Sequence, residues 1–211
     1  MTDISSNELF GDLYSRFRIA VEAHSRSRFP LSIAPPVSDA EIKGTEAEIG
    51  VLPQDIKALL NIHNGGYLFD NYRWLSCSTI PEVNERTRQE LDDLVSTFNP
   101  TDPDYIQHTD YNLSDCLILA AAPSECLLYE NSPNVGRIAF LSLAEGLSRG
   151  APSLEILVRA YVYLAEEGCI RIDSEEARYM SFDIDHEKVR RIHDLMCNKH
   201  DIEDPFSIFP F

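Results

Sequence analysis

The sequence predicts an α+β domain, on three observations. Apolar residues recur at helical spacing near both ends of the chain, short strand-like runs cluster in its centre, and turn residues separate those runs. With 211 residues, 44% of them hydrophobic and including 10 Phe, 9 Tyr and 1 Trp, there is enough apolar surface for one sizeable core.

The first helix is expected within residues 4–29, where Phe10, Leu13, Tyr14, Phe17 and Val21 fall on one stripe. The prolines from Phe29-Pro30 to Pro35-Pro36 end it, because proline cannot continue a helix and restricts the residue before it. Ser38-Asp39-Ala40-Glu41 then reads as a capping box, with the Ser38 side chain accepting from the Glu41 amide and the Glu41 side chain returning to the Ser38 amide. The helix it opens should cover residues 39–49. Glu46, in its middle, is expected to be substantially buried and hydrogen-bonded, since a buried carboxylate must find partners. Gly50 stands where a left-handed cap is wanted, and Pro53 opens a third helix carrying Ile56, Leu59 and Leu60. Asn64-Gly65-Gly66 ends it, with His63 placed to meet the carbonyl dipole of the last turn.

Residues 67–75 then predict a strand region, with Trp74 as a core or groove-wall side chain, and residues 81–98 a polar helix. The proline- and aspartate-bearing stretch 99–115 reads as an inserted loop. Residues 116–122, 125–130 and 136–141, joined by Asn131-Ser132-Pro133-Asn134, predict an antiparallel meander of adjacent strands. The rest reads as mainly helical: residues 153–167, with Leu154, Leu157, Val158, Tyr161 and Leu164, and residues 185–199, with Val189, Ile192, Leu195 and Met196. The apolar tail 206–211 could fold back onto the body.

Charge narrows the function. Thirty-five acidic against 18 basic residues give a net charge of -17, which repels nucleic acid and anionic membranes and favours a basic partner. Residues 1–30 balance four acids with four arginines, whereas residues 89–136 carry nine acids and no Lys or Arg. Such a face serves solubility; as a docking face it would present Asp102, Asp104 and Asp110 from the inserted loop, since loops carry recognition on a rigid scaffold. No run of about 18 apolar residues is present and the first residues lack the basic-then-apolar pattern of a signal peptide, so a cytoplasmic protein is expected. The five scattered cysteines, an odd number, agree in predicting reduced thiols.

Chemistry finds little support. There is no Gly-x-Ser-x-Gly elbow, P-loop, Gly-x-Gly-x-x-Gly or His-Glu-x-x-His. Asn64-Gly65-Gly66 follows a helix rather than preceding one, so it lacks the dipole of a phosphate cradle. His193, Cys197 and His200 share a helix end but have no fourth ligand in tight spacing, which argues against zinc. No catalytic residue, metal or cofactor is therefore expected.

The run Pro35-Pro36-Val37-Ser38-Asp39-Ala40-Glu41-Ile42, then Glu46, Ile49-Gly50, Leu52-Pro53, Ile56, Leu59-Leu60 and Asn64-Gly65-Gly66, resembles the opening signature of SUKH domains, the Smi/Knr-like superfamily. Trp74-Leu75 before Ile80-Pro81 is similar to that family's strand-to-helix segment, and Gly136-Arg137-Ile138 to its glycine-started strand. The likeness covers residues 31–164; it departs at Ala121-Ala122-Pro123-Ser124-Glu125, where the family has a turn rich in glycine and aspartate. The resemblance implies a mixed, largely antiparallel sheet with helices packed on one side. It divides the chain into an N-terminal helix packed on the domain (1–30), the core (31–165) and a C-terminal helical extension of the same domain (166–211).

It also implies a non-enzymatic, protein-binding role. Many bacterial members resemble immunity proteins that neutralise toxins, often nucleases, and the acidic charge agrees with an inhibitor of such a basic toxin domain. The alternative is a regulatory interaction protein in cell-wall or signalling pathways; a hydrolase assembled from distant residues is a third, with no motif behind it. Should the acidic loop prove only a solubilising coat, the expected binding place is the groove near Tyr67 and Trp74.

Overall fold

The computed structural model describes residues 6–25, 34–69, 72–97, 115–122, 125–131, 136–142, 146–172, 181–182 and 186–202. Helix α1 (Ser6–His24) buries Phe10, Leu13, Tyr14, Phe17 and Val21, the whole of the predicted stripe, together with Ala20. Its apolar face lies against α3 (Gln54–Ile62) and α5 (Leu154–Glu166). Between them, α2 (Asp39–Ile49) starts at the expected capping box: Ser38 Oγ accepts from the Glu41 amide at 3.3 Å and the Ser38 amide donates to Glu41 Oε2 at 2.9 Å. Gly50, at φ 90°, turns the chain toward α3.

Five strands form one sheet: β1 (Arg73–Trp74), β2 (Cys116–Ala122), β3 (Glu125–Glu130), β4 (Ile138–Ser142) and β5 (Gly146–Arg149), in the order β1-β2-β3-β4-β5. Every pairing is antiparallel, so the sheet is a meander. Consecutive residues of β2 and β4 are buried, which places both faces of these strands in the core and explains why they read as apolar runs rather than alternations. The meander reaches one strand further than expected. Gly146-Leu147-Ser148-Arg149 has little strand propensity of its own and is held by pairing with β4.

The strand region expected over residues 67–75 contracts to two residues. Leu68 and Phe69 enter the core from an irregular turn, and only an isolated bridge joins Gly66 to Trp74. With β1 so short, the outer edge of β2 needs other partners. The Leu75 amide reaches the Leu119 carbonyl at 2.8 Å, and Asn84 of α4 (Ile80–Thr97) seals the next position. Its Oδ1 accepts from the Ile118 amide at 2.8 Å, and its Nδ2 donates to the Ile80 carbonyl at 2.8 Å and the Ile118 carbonyl at 3.3 Å. A register shift in the β2–β3 pairing between Ile118 and Ala120 marks a bulge at the same level of β2.

Ser153 caps α5, which is buried on almost every side. The chain then departs from the mainly helical expectation: β6 (Ile170–Arg171) and β7 (Ser181–Phe182) form a small antiparallel pair, too short to print a period in the sequence. Helix α6 (His186–His200) packs on α5 through Ile192 and Met196. The architecture is thus α+β with helices at both ends. Among the described residues, no helix is long and apolar enough to cross a membrane. The expected inserted loop and the 206–211 tail lie outside the described residues, apart from Asp115 at the end of the loop.

Candidate functional site

The turn after α3 builds the most distinctive surface feature. His63 leaves the helix in an extended conformation, and Asn64 ties three segments together: its amide donates to the Pro35 carbonyl at 3.2 Å, its Oδ1 accepts from the Cys77 amide at 2.8 Å, and its Nδ2 reaches Glu41 Oε1 at 3.4 Å. Gly65 follows at φ 88°, and a Cβ there would stand 2.8 Å from the Ser76 nitrogen and 2.9 Å from the Trp74 oxygen. Only glycine permits both that conformation and that approach. Gly66 and Trp74 then exchange backbone hydrogen bonds of 2.9 and 2.8 Å, clamping the turn against β1. On the far side, Thr79 Oγ1 accepts from the Ser76 amide at 2.9 Å and closes the turn that starts α4.

Between these walls lies an open groove of about 550 Å³, lined among others by Ala34, Asn64, Tyr67, Arg73, Trp74 and Ser78. Tyr67 and Trp74 are therefore brought together, but they differ in role. Trp74 is only 4% exposed and meets the Phe69 ring edge-on at 5.9 Å, so it supports the groove from within. Tyr67 is half-buried and Arg73 exposed, which leaves their side chains within reach of a partner. Among the described residues no carboxylate lines this groove, in a chain of net charge -17. Asp102, Asp104 and Asp110 lie outside the described residues.

Glu46 is hydrogen-bonded as expected but less buried: its side chain is 21% exposed, since it sits at the rim between α2 and α3. Its Oε1 receives the Lys57 ammonium at 2.6 Å and the Leu52 amide at 3.0 Å, and these two contacts, Lys57 first, hold its carboxyl below the usual carboxylate range. Its place is a structural tie across the Gly50–Pro53 turn. His63 also does more than meet a helix dipole. Its Nδ1 lies 3.3 Å from the Ala34 carbonyl and its ring packs edge-on against Tyr14.

Three polar anchors escaped the sequence reading. Besides Asn84, Tyr129 donates from β3 to the carboxylate of Asp55 in α3, and the Glu130 carboxylate, 1% exposed, is paired with Arg137 at 2.5 Å where β3 gives way to β4. Glu130 and Arg137 flank a turn, a spacing that signals such a pair; Asp55 and Tyr129 are far apart in sequence and leave no signal. All five cysteines are free thiols, and burial pushes Cys116 up to about 12, away from nucleophilic use. Among the described residues no group of three or more His, Cys, Asp or Glu side chains is placed to hold a metal ion; His193 and Cys197 make only a 3.6 Å contact with each other.

These features define an α+β scaffold whose chief irregularity is a glycine turn clamped on a short edge strand beside an open groove. The model of the SMI1/KNR4 family (SUKH-1) matches residues 36–159, more than half of the chain, and the protein belongs to that family. Members are generally non-catalytic immunity or regulatory proteins, and their domains typically bind protein partners. No curated protein matches the chain.

Proposed function

We propose that this protein is a cytoplasmic, non-enzymatic binding module of the immunity type, which inhibits a basic toxin domain, with a nuclease as the target its charge fits best. Residues 31–165 carry the binding function, and the segments 1–30, with α1, and 166–211, with the β6–β7 pair and α6, are additions to the same domain. The observation that carries this reading is the open groove at Tyr67 and Arg73, built by the glycine turn inside the residues that match the family. The net charge of -17 supports it, because an acidic inhibitor is drawn to an electropositive active site and gains association rate by steering.

The test is co-expression with the product of any adjacent toxin gene, followed by binding kinetics with the captured partner. Tyr67→Ala should shorten the lifetime of the complex by about tenfold or more, as loss of an aromatic anchor does. Changing Asp102, Asp104 and Asp110 together to Asn should slow association and flatten its dependence on salt while leaving dissociation unchanged. A neighbouring toxin that kills despite the protein, with capture returning only a host signalling or cell-wall component, would refute inhibition and establish the regulatory role instead.

A further inference from the structure

Behind the groove, aromatic rings form a continuous line from α1 to β1. His63 meets Tyr14 with ring centroids 4.5 Å apart, Tyr14 meets Phe69 at 5.7 Å, and Phe69 meets Trp74 at 5.9 Å, each contact edge-on. Phe69 is itself fixed between Phe17 at 5.3 Å and Tyr161, stacked at 6.2 Å. His63 also holds the groove wall: its Nδ1 contacts the Ala34 carbonyl at 3.3 Å, and its chain neighbour Asn64 binds the Pro35 carbonyl. Ala34, Asn64 and Trp74 all line the groove.

A carbonyl can only accept, so Nδ1 carries a proton, and burial disfavours a second proton at Nε2. Among the described residues Nε2 is buried with no hydrogen-bond partner, as are the Tyr14 hydroxyl and the Arg18 Nε. Among the described residues, the groups facing the ring are the Tyr14 phenol and Arg18 guanidinium from α1, the neutral Ala34 carbonyl, and on the β1 side the apolar Leu68 and Trp74 that share a small cavity with it. Arg18 has its own carboxylate, Glu22 at 3.6 Å. Burial first, then the Arg18 charge, pushes the His63 pKa below its usual value, while the Ala34 contact opposes this.

We propose that His63 is an acid-sensitive latch on the groove: a proton taken up at Nε2 displaces the Tyr14 ring and, through Phe69, shifts Trp74 in the groove wall, releasing what the groove holds. Protonation places a second cation beside Arg18 and gives Nε2 a hydrogen that has no acceptor in place. The Tyr14 hydroxyl, buried and without a partner among the described residues, belongs to the ring that packs on His63, so a new donor at Nε2 is met by displacing that ring against Phe69. Because these rings are close-packed, the displacement is handed on rather than absorbed. The sign follows from linkage. The unfolded chain binds the proton more tightly than the folded one, so this site's contribution is complete above the ordinary histidine value and is lost as pH falls below it.

The consequence for partner release rests on the groove being the docking place, but the latch is tested without a partner. Trp74 is the sole tryptophan, so the fluorescence of the full chain reads the groove wall directly. Emission should shift to the red along a one-proton curve with a midpoint below 6.5, with far-ultraviolet circular dichroism unchanged, and the ring signals of His63 should titrate with the same midpoint in NMR spectra. His63→Asn, which keeps a donor for Ala34, and His63→Phe, which keeps a ring against Tyr14, should both abolish the curve. A flat wild-type response, a curve that persists in both variants, or a His63 titration at its ordinary value without movement of Trp74 would each overturn the latch. A His63-dependent curve accompanied by pH-independent partner affinity would support the latch and overturn the groove as the docking site.

Discussion

Replacing Asn84 with leucine changes little volume but removes the seal on the edge of β2. The Ile118 amide, now bonded to Asn84 Oδ1 at 2.8 Å in a site where Asn84 is 2% exposed, would lose its partner without access to water. Stranding a buried donor costs about 1–3 kcal/mol, and loss of the longer bond to the Ile118 carbonyl adds about 0.5–1 kcal/mol. No cavity is created, so no packing loss is added, and the total is about 2–4 kcal/mol. At a urea slope of about 2 kcal/mol per M, the unfolding midpoint should fall by about 1–2 M with the slope unchanged. Asn84→Asp should not rescue it, because the carboxylate still accepts from the amide but faces the Ile80 and Ile118 carbonyls with no donor. A leucine variant within about 0.5 kcal/mol of wild type, the range of ordinary surface substitutions, would refute the view that one side chain completes the sheet edge.

Two further substitutions test the polar ties at α2 and between α3 and β3. Ser38→Ala should cost about 1 kcal/mol of stability in urea denaturation, the usual value of an N-cap, since the Glu41 amide then loses its acceptor. Tyr129→Phe should cost about 1–2 kcal/mol at neutral pH by removing the phenol that donates to Asp55. Burial already pushes the Asp55 carboxyl above its usual range, with the Tyr129 bond opposing, so the variant raises it further. The folded state then holds that proton more tightly than the unfolded chain, and the stability gap between variant and wild type should narrow as pH falls through the Asp55 titration.

What could be read from the sequence was local. The α1 stripe, the Ser38 box, Gly50 and the central strands each rest on neighbours within a turn or a pleat, and the structure places them as read. The shortness of β1 was not legible, because it depends on Gly65 approaching Ser76 and Trp74 so closely that the chain turns instead of pairing. Strands β5, β6 and β7 print no period and are held by their partners. Asn84 looked like one more polar residue of a polar helix; only the missing strand beside Ile118 gives it a purpose. At the site, Tyr67 and Trp74 were legible because they flank the glycine turn, whereas the link between His63 and Tyr14 joins helices that no spacing rule connects.

The two polar characters of the molecule suggest a division of labour. The net charge of -17 acts at long range, but in physiological salt it is screened over about 8–10 Å, so it can bring a basic partner near without fixing its orientation. The groove has the opposite character: among the described residues Arg73 is its charged side chain and Tyr67 its accessible ring, and backbone hydrogen bonds set the wall at Gly66 and Trp74. On the proposed function, steering and holding are therefore separate, so salt should govern how fast complexes form and the groove how long they last. The same separation explains why a latch belongs behind Trp74. A change in the diffuse acidic charge would only slow arrival, whereas a shift of a rigid wall ends the contact itself, and His63 stands where one proton can produce that shift.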